Sequence, residues 1–582
     1  MTRIAVVKKD KCSPARCGEL CLKKCPVNRT GKECIVLVDG KAFVNEELCN
    51  GCGICQKICP FEAVHIINLP EALKEDPIHR YGPNGFALYS LPTPVFGKVV
   101  GVLGKNGIGK TTAIKILAGV LKPNLGKDTE ASYRDLIERF KGTEAQKFFE
   151  AVQKGKIKIA YKPQAVDLIP RTAKGKVKEL LRKIDEKGEF DRIINLFELE
   201  KILDTDIDKI SGGELQRVAI AATFLKKANL YIFDEPTSYL DIKQRIKISK
   251  LINNLANEST AVLVIDHDLI ILDYMADLVH LMYGKEGCFG VVSMLKTTRT
   301  GINVFLSGYL REENVRFRNY EIKFEARAPV TQKEMPVFTS WRNIEKTLGR
   351  FELKAKKGEI LKHQVVGVLG ENGIGKTSFV KILAGIIKQD KGEVTETVKV
   401  SYKPQYLRGD SREIVKSVLK DVIEKYETQL SIPLKLESLM DRHLNQLSGG
   451  ELQRVSIALT LSKDADLYLL DEPSAYLDVE QRLTVSKVIR SLVEISGKSA
   501  MIVDHDLLFI DYLSDNLIVF EGVPAVRGEA NGPFVMEQGM NMFLKDLKIT
   551  MRRDPESMRP RVNKQGSQLD QQQKKEGKLY YS

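Results

Sequence analysis

Two lysines, Lys110 and Lys376, close the same spelling: Gly104-Lys-Asn-Gly-Ile-Gly-Lys-Thr111 and Gly370-Glu-Asn-Gly-Ile-Gly-Lys-Thr377. Both fit G-x-x-x-x-G-K-[ST], a loop whose backbone N–H groups turn inward around phosphate. Gly104, Lys105, Asn106, Gly107 and Gly109 would form one cradle, and Gly370, Asn372, Gly373 and Gly375 the other. Lys110 and Lys376 would reach the β- and γ-phosphates. Thr111 and Thr377 would hold Mg²⁺, with Thr112 and Ser378 beside them at the helix start. Carboxylates follow in both halves. Tyr231-Ile-Phe-Asp-Glu-Pro236 and Tyr468-Leu-Leu-Asp-Glu-Pro473 each end a short apolar run on an Asp-Glu pair. Asp234 or Asp471 would hold Mg²⁺ through water, and Glu235 or Glu472 would polarise the attacking water. His267 and His505 lie one strand later, in Ile265-Asp-His-Asp268 and Val503-Asp-His-Asp506, near the γ-phosphate. Gln164 and Gln405, closing two copies of Tyr-Lys-Pro-Gln, would approach Mg²⁺ and report its presence. Together these residue types suit hydrolysis of a nucleoside triphosphate.

A second chemistry is concentrated at the start of the chain, where nine of the ten cysteines precede residue 60. Cys49-x2-Cys52-x2-Cys55-x3-Cys59-Pro60 matches the bacterial ferredoxin run, and Cys12-x4-Cys17-x3-Cys21-x3-Cys25-Pro26 is a looser relative. In two-cluster ferredoxins the Cys of each Cys-Pro ligates the other cluster. By that rule Cys12, Cys17, Cys21 and Cys59 hold one [4Fe–4S] cluster, and Cys49, Cys52, Cys55 and Cys25 the other. Structural zinc also favours four thiolates; the Cys-Pro endings and the tight spacing favour iron–sulfur. Cys34 and Cys288 read as small packed residues. No flavin or nicotinamide fingerprint accompanies the cysteines, so a structural or sensing role is expected for the clusters.

The lysine loops need a strand before them and a helix after them. Val99-Val-Gly-Val-Leu103 and Val365-Val-Gly-Val-Leu369 read as buried strands, and Ala113 to Ala118 and Phe379 to Ala384 as apolar-periodic helices. Ile210-Ser-Gly-Gly-Glu-Leu-Gln-Arg-Val218 and Leu447-Ser-Gly-Gly-Glu-Leu-Gln-Arg-Val455 open further helices, and Ser211, Gly213, Ser448 and Gly450 would present their N-termini to an anion. Within one half these segments lie too far from that half's own loop. Head-to-tail pairing of the halves solves this, joining Lys110 to Ser448 and Lys376 to Ser211. The full set, in order and twice over, resembles that of an ATP-binding cassette. From the signature Ser (Ser211, Ser448) to the Glu of the Walker B strand end (Glu235, Glu472) the spacing is 24 residues in both halves, whereas from loop Lys to Gln it is 54 in the first and 29 in the second. Adenine would stack on an aromatic upstream of the loop; Tyr81, Phe86 and Phe351 are candidates, with core packing as the plainer role.

The expected architecture is α/β: two head-to-tail cassettes with an N-terminal two-cluster ferredoxin-like α+β domain. The boundaries read as 1–75 for the iron–sulfur domain, 76–292 for the first cassette, 293–325 for a hinge, 326–540 for the second cassette, and 541–582 for a C-terminal hinge or tail. The surplus in the first half lies at about 131–158, a helix–loop–helix with seven basic and four acidic residues. Tyr133, Leu136, Ile137 and Phe140 keep helical spacing, and Thr143-x-x-Gln146 reads as a capping box for the second helix. This element suits docking to RNA or a large partner, or a solvated surface. The chain of 582 residues exceeds one core and carries a net charge of +14, which suits a polyanionic partner. No apolar run reaches the length of a membrane span and no signal-peptide pattern opens the chain, so a cytoplasmic protein without membrane partners is expected.

Ferredoxin-like cysteines, twin cassettes with these signatures, the helix–loop–helix and the tail Arg552-Arg-Asp-Pro-Glu-Ser-Met-Arg-Pro-Arg561-Val-Asn-Lys together resemble subfamily E of the ATP-binding cassette proteins, the ribosome-recycling factors of the RNase L inhibitor family. The resemblance spans essentially the whole chain, and the basic balance and short spacers look archaeal. It implies an ATPase that splits ribosomes after termination or rescue, with a release factor or Pelota. The cassettes would close on two ATP while the iron–sulfur domain moves. The protein, a monomer whose cassettes pair within the chain, would stay on the small subunit and its rRNA until hydrolysis. An iron–sulfur assembly ATPase is the alternative, and an energiser of a membrane transporter a more distant one.

Overall fold

A computed structural model describes residues 3–8, 11–45, 48–68, 76–82, 85–324, 336–395, 399–404 and 411–580. They form two compact units. The first comprises 1–238, 251–266 and 275–321, and the second 239–250, 267–274 and 322–582. Among the described residues no helix is long and apolar enough to cross a membrane.

The first unit is built on a nine-stranded sheet whose parallel centre runs Val99–Leu103, Ala261–Ile265, Leu230–Asp234 and Ile159–Lys162. The first three of these strands are buried at every position. Unbroken apolar runs are what a parallel strand covered on both faces requires. The strand Val99–Leu103 leads through the loop into the helix Lys110–Leu117, so the lysine itself opens the helix. Before the sheet stands the cysteine-rich module. Its outer strands Arg3–Val7 and Val64–Asn68 pair antiparallel, the hairpin Ile35–Val38 and Lys41–Val44 lies between them in sequence, and short helices carry the cysteines. Ala5, Val7, Ile35, Val44 and Val64 pack with Cys12, Cys21, Cys25 and Cys55 in a single core.

The insertion forms helices Tyr133–Arg139 and Glu144–Gln153. Leu136, Phe148 and Phe149 join the core of the first unit, and Phe140 stacks on Phe149 with ring centroids 5.5 Å apart. The expected capping box at Thr143 does not form. The Thr143 hydroxyl donates back to Phe140 O at 2.7 Å, and Gln146 Oε1 accepts from Gly142 N at 2.7 Å. The box is found one helix earlier, where Ser132 and Asp135 cap each other reciprocally. Gly142 and the preceding helix end compete for the same polar groups, so the S/T-x-x-E/Q spelling alone does not determine the cap.

The second unit repeats the plan on a ten-stranded sheet, whose parallel centre is Val365–Leu369, Ser499–Val503, Leu467–Asp471 and Val400–Lys403. Trp341, 1% exposed, lies in its core edge-on to Phe379 with centroids 5.3 Å apart. A packing role therefore accounts for the single tryptophan. The end of the chain is folded here too: helix Met536–Leu547, hairpin Met551–Arg553 with Pro560–Val562, and helix Gln568–Glu576. Arg559 and Arg561 of the hairpin grip Asp273, while Arg553 and Tyr580 meet Asp511. These two aspartates occupy the same place in the repeat, six residues after His267 and His505.

Candidate functional site

In both phosphate loops the lysine folds across its own turn. Lys110 Nζ donates to Gly104 O at 2.9 Å and Lys105 O at 2.6 Å; Lys376 Nζ donates to Gly370 O at 2.9 Å and Glu371 O at 2.6 Å. Gly109 and Gly375 have φ of 89° and 95°. That left-handed turn suits glycine, and a Cβ there would also strike the ring of Phe86 or Phe351. The two aromatics thus occupy equivalent positions against the last glycine of each loop. Tyr81 lies differently: about half exposed, with its hydroxyl 3.3 Å from Thr112 Oγ1. Asn372 N donates to Asp241 Oδ2 at 3.0 Å.

Each Walker B strand delivers its carboxylates to the loop of its own half. Asp234 is fully buried beside the Thr111 hydroxyl. Burial pushes its pKa up to about 6, the neighbouring Glu235 adds to the rise, and the Thr111 hydroxyl opposes it. Asp471 is likewise raised by burial, and it accepts from Thr377 Oγ1 at 2.7 Å. A buried carboxylate next to a hydroxyl is a donor set for a hard cation. Glu235 accepts from Gln164 Nε2 at 2.6 Å and Ser238 Oγ at 3.1 Å. Glu472 Oε1 lies 3.5 Å from His505 Nε2. Burial, then the charges of Asp471 and Asp504, raise Glu472 to about 7, with Lys376 and Arg245 opposing. Burial first, then Lys376 and Arg245, push His505 well below its usual value, so it is neutral at pH 7. A carboxylate poised near neutrality beside a neutral imidazole is suited to taking a proton from water. His267 is also buried, 8% exposed. Gln405 lies outside the described residues.

The signature helices are long and well capped. Ser211 opens Gly212–Leu225 and Ser448 opens Gly449–Leu461, each in a reciprocal box with the glutamate three residues on. Gly450 is constrained by space, because a Cβ would come within 2.9 Å of Tyr476 O. Sequence reasoning gave no role to Lys162, Lys403, Gln216 or Gln453, yet all four reach the Walker B backbone. Lys162 donates to Asp234 O and Glu235 O, and Gln216 to Glu235 O and Pro236 O. Their only signal was recurrence: the Lys stands in both copies of Tyr-Lys-Pro-Gln and the Gln in both signatures.

The cysteines fall into two neighbourhoods. Burial, then repulsion from Cys12, Cys17 and Cys59, pushes the Cys21 thiol up to about 11. Burial, then Cys49 and Cys52, pushes Cys55 up to about 12. Cys34 is buried as expected, but it is not remote: Cys25 and Cys49 are its hydrogen-bonding neighbours, and burial with their charge raises it to about 12. Among the described residues no three His, Cys, Asp or Glu side chains converge as one bound ion would need. Cys288 packs with Val6 between the cysteine module and the strand Phe289–Val292.

Residues 95–238 and 353–475 match the ABC transporter family model, 42–65 match a 4Fe-4S binding domain, and 2–33 match a possible Fer4-like domain in RNase L inhibitor. An uncharacterised ABC transporter ATP-binding protein of Methanocaldococcus jannaschii is 51% identical, covering 100% of this chain and 97% of its own length. Translation initiation factor RLI1 of Saccharomyces cerevisiae is 44% identical over 100% and 98%. The archaeal ABCE1 in a structure of ribosome-bound Pelota and ABCE1 superposes with a TM-score of 0.94 at 52% identity, covering 100% of this chain and 99% of that one. An archaeal recycling factor aABCE1 in complex with the ribosomal stalk protein aP1 gives 0.84 at 51%, over 88% and 100%. The chain has ABC ATPase domains and a 4Fe–4S-binding domain, and it belongs to the ABCE1 family, the RNase L inhibitor branch of the ATP-binding cassette ATPases.

Proposed function

We propose that this protein recycles ribosomes. It splits them into subunits after termination or rescue, in concert with a release factor or Pelota, and stays on the small subunit until ATP hydrolysis releases it. The observation that carries this reading is the likeness, over the entire chain, to an archaeal ABCE1 held on the ribosome with Pelota. The net charge of +14 suits an rRNA surface, and the translation factors among the relatives support a cytoplasmic site of action.

ATP binding is the physical drive. Closure of twin cassettes biases a two-state hinge by the difference in ATP affinity between open and closed forms, and hydrolysis resets it. Lys110 and Lys376 bind phosphate; Glu235 and Glu472 take the water proton, with His267 and His505 beside the γ-phosphate. Mg²⁺ would be held by Thr111 with Asp234 and by Thr377 with Asp471, assisted by Gln164 and Gln405. The burial of Asp234 beside the Thr111 hydroxyl supports that role. Phe86, Phe351 and Tyr81 are the candidates to meet adenine. Two [4Fe–4S] clusters would be held by Cys12, Cys17, Cys21 and Cys59, and by Cys25, Cys49, Cys52 and Cys55. The neighbourhoods of Cys21 and Cys55 support the two sets. Bound there, the clusters supply rigidity to a module with a small core of its own. Cys52 is exposed, so Cys52→Ser should spare packing yet lose iron and visible absorbance. Unchanged iron content would remove it from the ligand set.

The deciding test is sedimentation of anaerobically purified protein with small ribosomal subunits. Co-sedimentation with a non-hydrolysable ATP analogue but not with ADP is expected. Absence of binding in both states would overturn the recycling reading and leave the ATPase in search of another substrate, cluster assembly first among them.

A further inference from the structure

In each half a lysine is buried directly beneath the catalytic carboxylates. Lys162 is 1% exposed and Lys403 is fully buried. A buried ammonium is costly unless hydrogen-bonded, and an apolar side chain would fill the same space without that cost. Both ammonium groups are directed at main-chain carbonyls. Lys162 Nζ donates to Asp234 O at 3.0 Å and to Glu235 O at 3.1 Å. Lys403 Nζ donates to Asp471 O at 3.0 Å and to Pro404 O at 3.1 Å.

The backbone they hold is unusual. Glu235 and Glu472 both have φ of 48°, in the left-handed region that a residue with a Cβ avoids. Fixed contacts act on both sides of that residue. Glu235 N donates to Ile265 O at 2.9 Å and Glu472 N to Val503 O at 2.7 Å, tying each to the next strand. On the carbonyl side Gln216 Nε2 donates to Glu235 O at 2.8 Å, and Gln453 Nε2 to Glu472 O at 2.7 Å. The direction of a glutamate side chain follows its φ and ψ. If the peptide relaxed to an ordinary conformation, the carboxylate would swing away from Gln164 and Ser238 in the first half and from His505 in the second.

We propose that Lys162 and Lys403 are positioning residues for hydrolysis, which with Gln216 and Gln453 clamp the Asp-Glu peptide so that Glu235 and Glu472 aim at the attacking water. The lysines touch neither nucleotide nor water in this role; they act through the glutamates. The two clamps are unequal. Lys162 spans both carbonyls of the first pair, whereas Lys403 divides between Asp471 and its own neighbour Pro404, and Gln453 serves Glu472.

The inference rests on ATP hydrolysis by the full-length protein, so wild-type turnover is the control: its absence would refute the ATPase reading itself. Lys162→Met with Lys403→Met keeps length and apolar fill while removing the donors. The double variant should lose about 10- to 100-fold in kcat, the scale of a small misplacement of a reacting group, with KM and the affinity for a fluorescent ATP analogue changed by less than about twofold. Wild-type kcat would overturn the proposal. So would an affinity that falls as far as kcat, which would mark general damage to the fold. Should that variant melt out, Gln216→Met with Gln453→Met decides on the same two readouts. A fall in kcat alone supports the clamp, and an unchanged kcat overturns it.

Discussion

Glu235→Gln combined with Glu472→Gln should lower ATP turnover by about 10²- to 10⁴-fold, the usual range for loss of a positioned general base, and should hold the protein on the small ribosomal subunit once ATP is added. The change is isosteric, so the left-handed backbone and its bonds to the next strand are kept. At Glu235 the amide can still meet Gln164 and Ser238, and what is lost is the ability to accept a proton. At Glu472 the loss is sharper, because burial and two neighbouring carboxylates bring this group to about 7, where a base is most effective at neutral pH. His505 cannot replace it: Lys376 and Arg245 add to burial in keeping the imidazole neutral, and its protonated form is disfavoured. Binding is left intact because the phosphate loops, with Lys110 and Lys376, are untouched. The expected phenotype is therefore ATP-bound, closed and slow to leave. The measurement is dissociation of labelled protein from purified small subunits after dilution into excess ADP. If the double variant departs as fast as wild type, hydrolysis is not the reset step.

Much of this local geometry could be read in the sequence for a physical reason. A phosphate loop, an Asp-Glu pair at a strand end and a capped signature helix are local constructions, and each needs its residue types at fixed spacing. The repeat then makes chance untenable. The strand–loop–helix frames around Lys110 and Lys376 follow from the same local rules, although each helix begins at the lysine rather than a few residues later. What escaped was non-local. Lys162 meets Glu235 across 73 residues, and nothing in Tyr-Lys-Pro-Gln marks the lysine as buried rather than solvated. Cys34 stands outside both cysteine runs, and only folding sets it beside Cys25 and Cys49. The box expected at Thr143 failed because its partners are shared with the end of the preceding helix. The basic stretch after residue 550 read as a loose tail or hinge, since Arg559 and Arg561 show no apolar pattern. Their order comes from a carboxylate almost three hundred positions away.

That carboxylate carries the second large effect. Asp273 accepts from Arg559 Nη1 at 3.1 Å, from Arg561 Nε at 2.6 Å and from Arg561 Nη2 at 3.1 Å. Arg561 also meets Asp554 at 3.2 Å, but Arg559 is wholly buried, and among the described residues its Nε and Nη2 have no hydrogen-bond partner. Burial pulls the Arg559 guanidinium below its usual value, and Asp273 is the main group opposing that. Removing the carboxylate while leaving the cation buried should cost about 3–5 kcal/mol. Asp273→Asn is accordingly expected to lower the urea midpoint of the second unit markedly. Asp273→Leu with Arg559→Leu should lose much less than the sum of its single changes, because an apolar pair carries no unpaired charge. Trp341, the single tryptophan of the chain, is buried in the core of the same unit, so its fluorescence reports that transition directly. A midpoint for Asp273→Asn within error of wild type would show that the hairpin is held by packing alone. A strictly additive double variant would show that the two side chains do not act as a pair. The coupled result would mean that the chain's last fifty residues are bolted, through a buried charge, to the helix that follows His267.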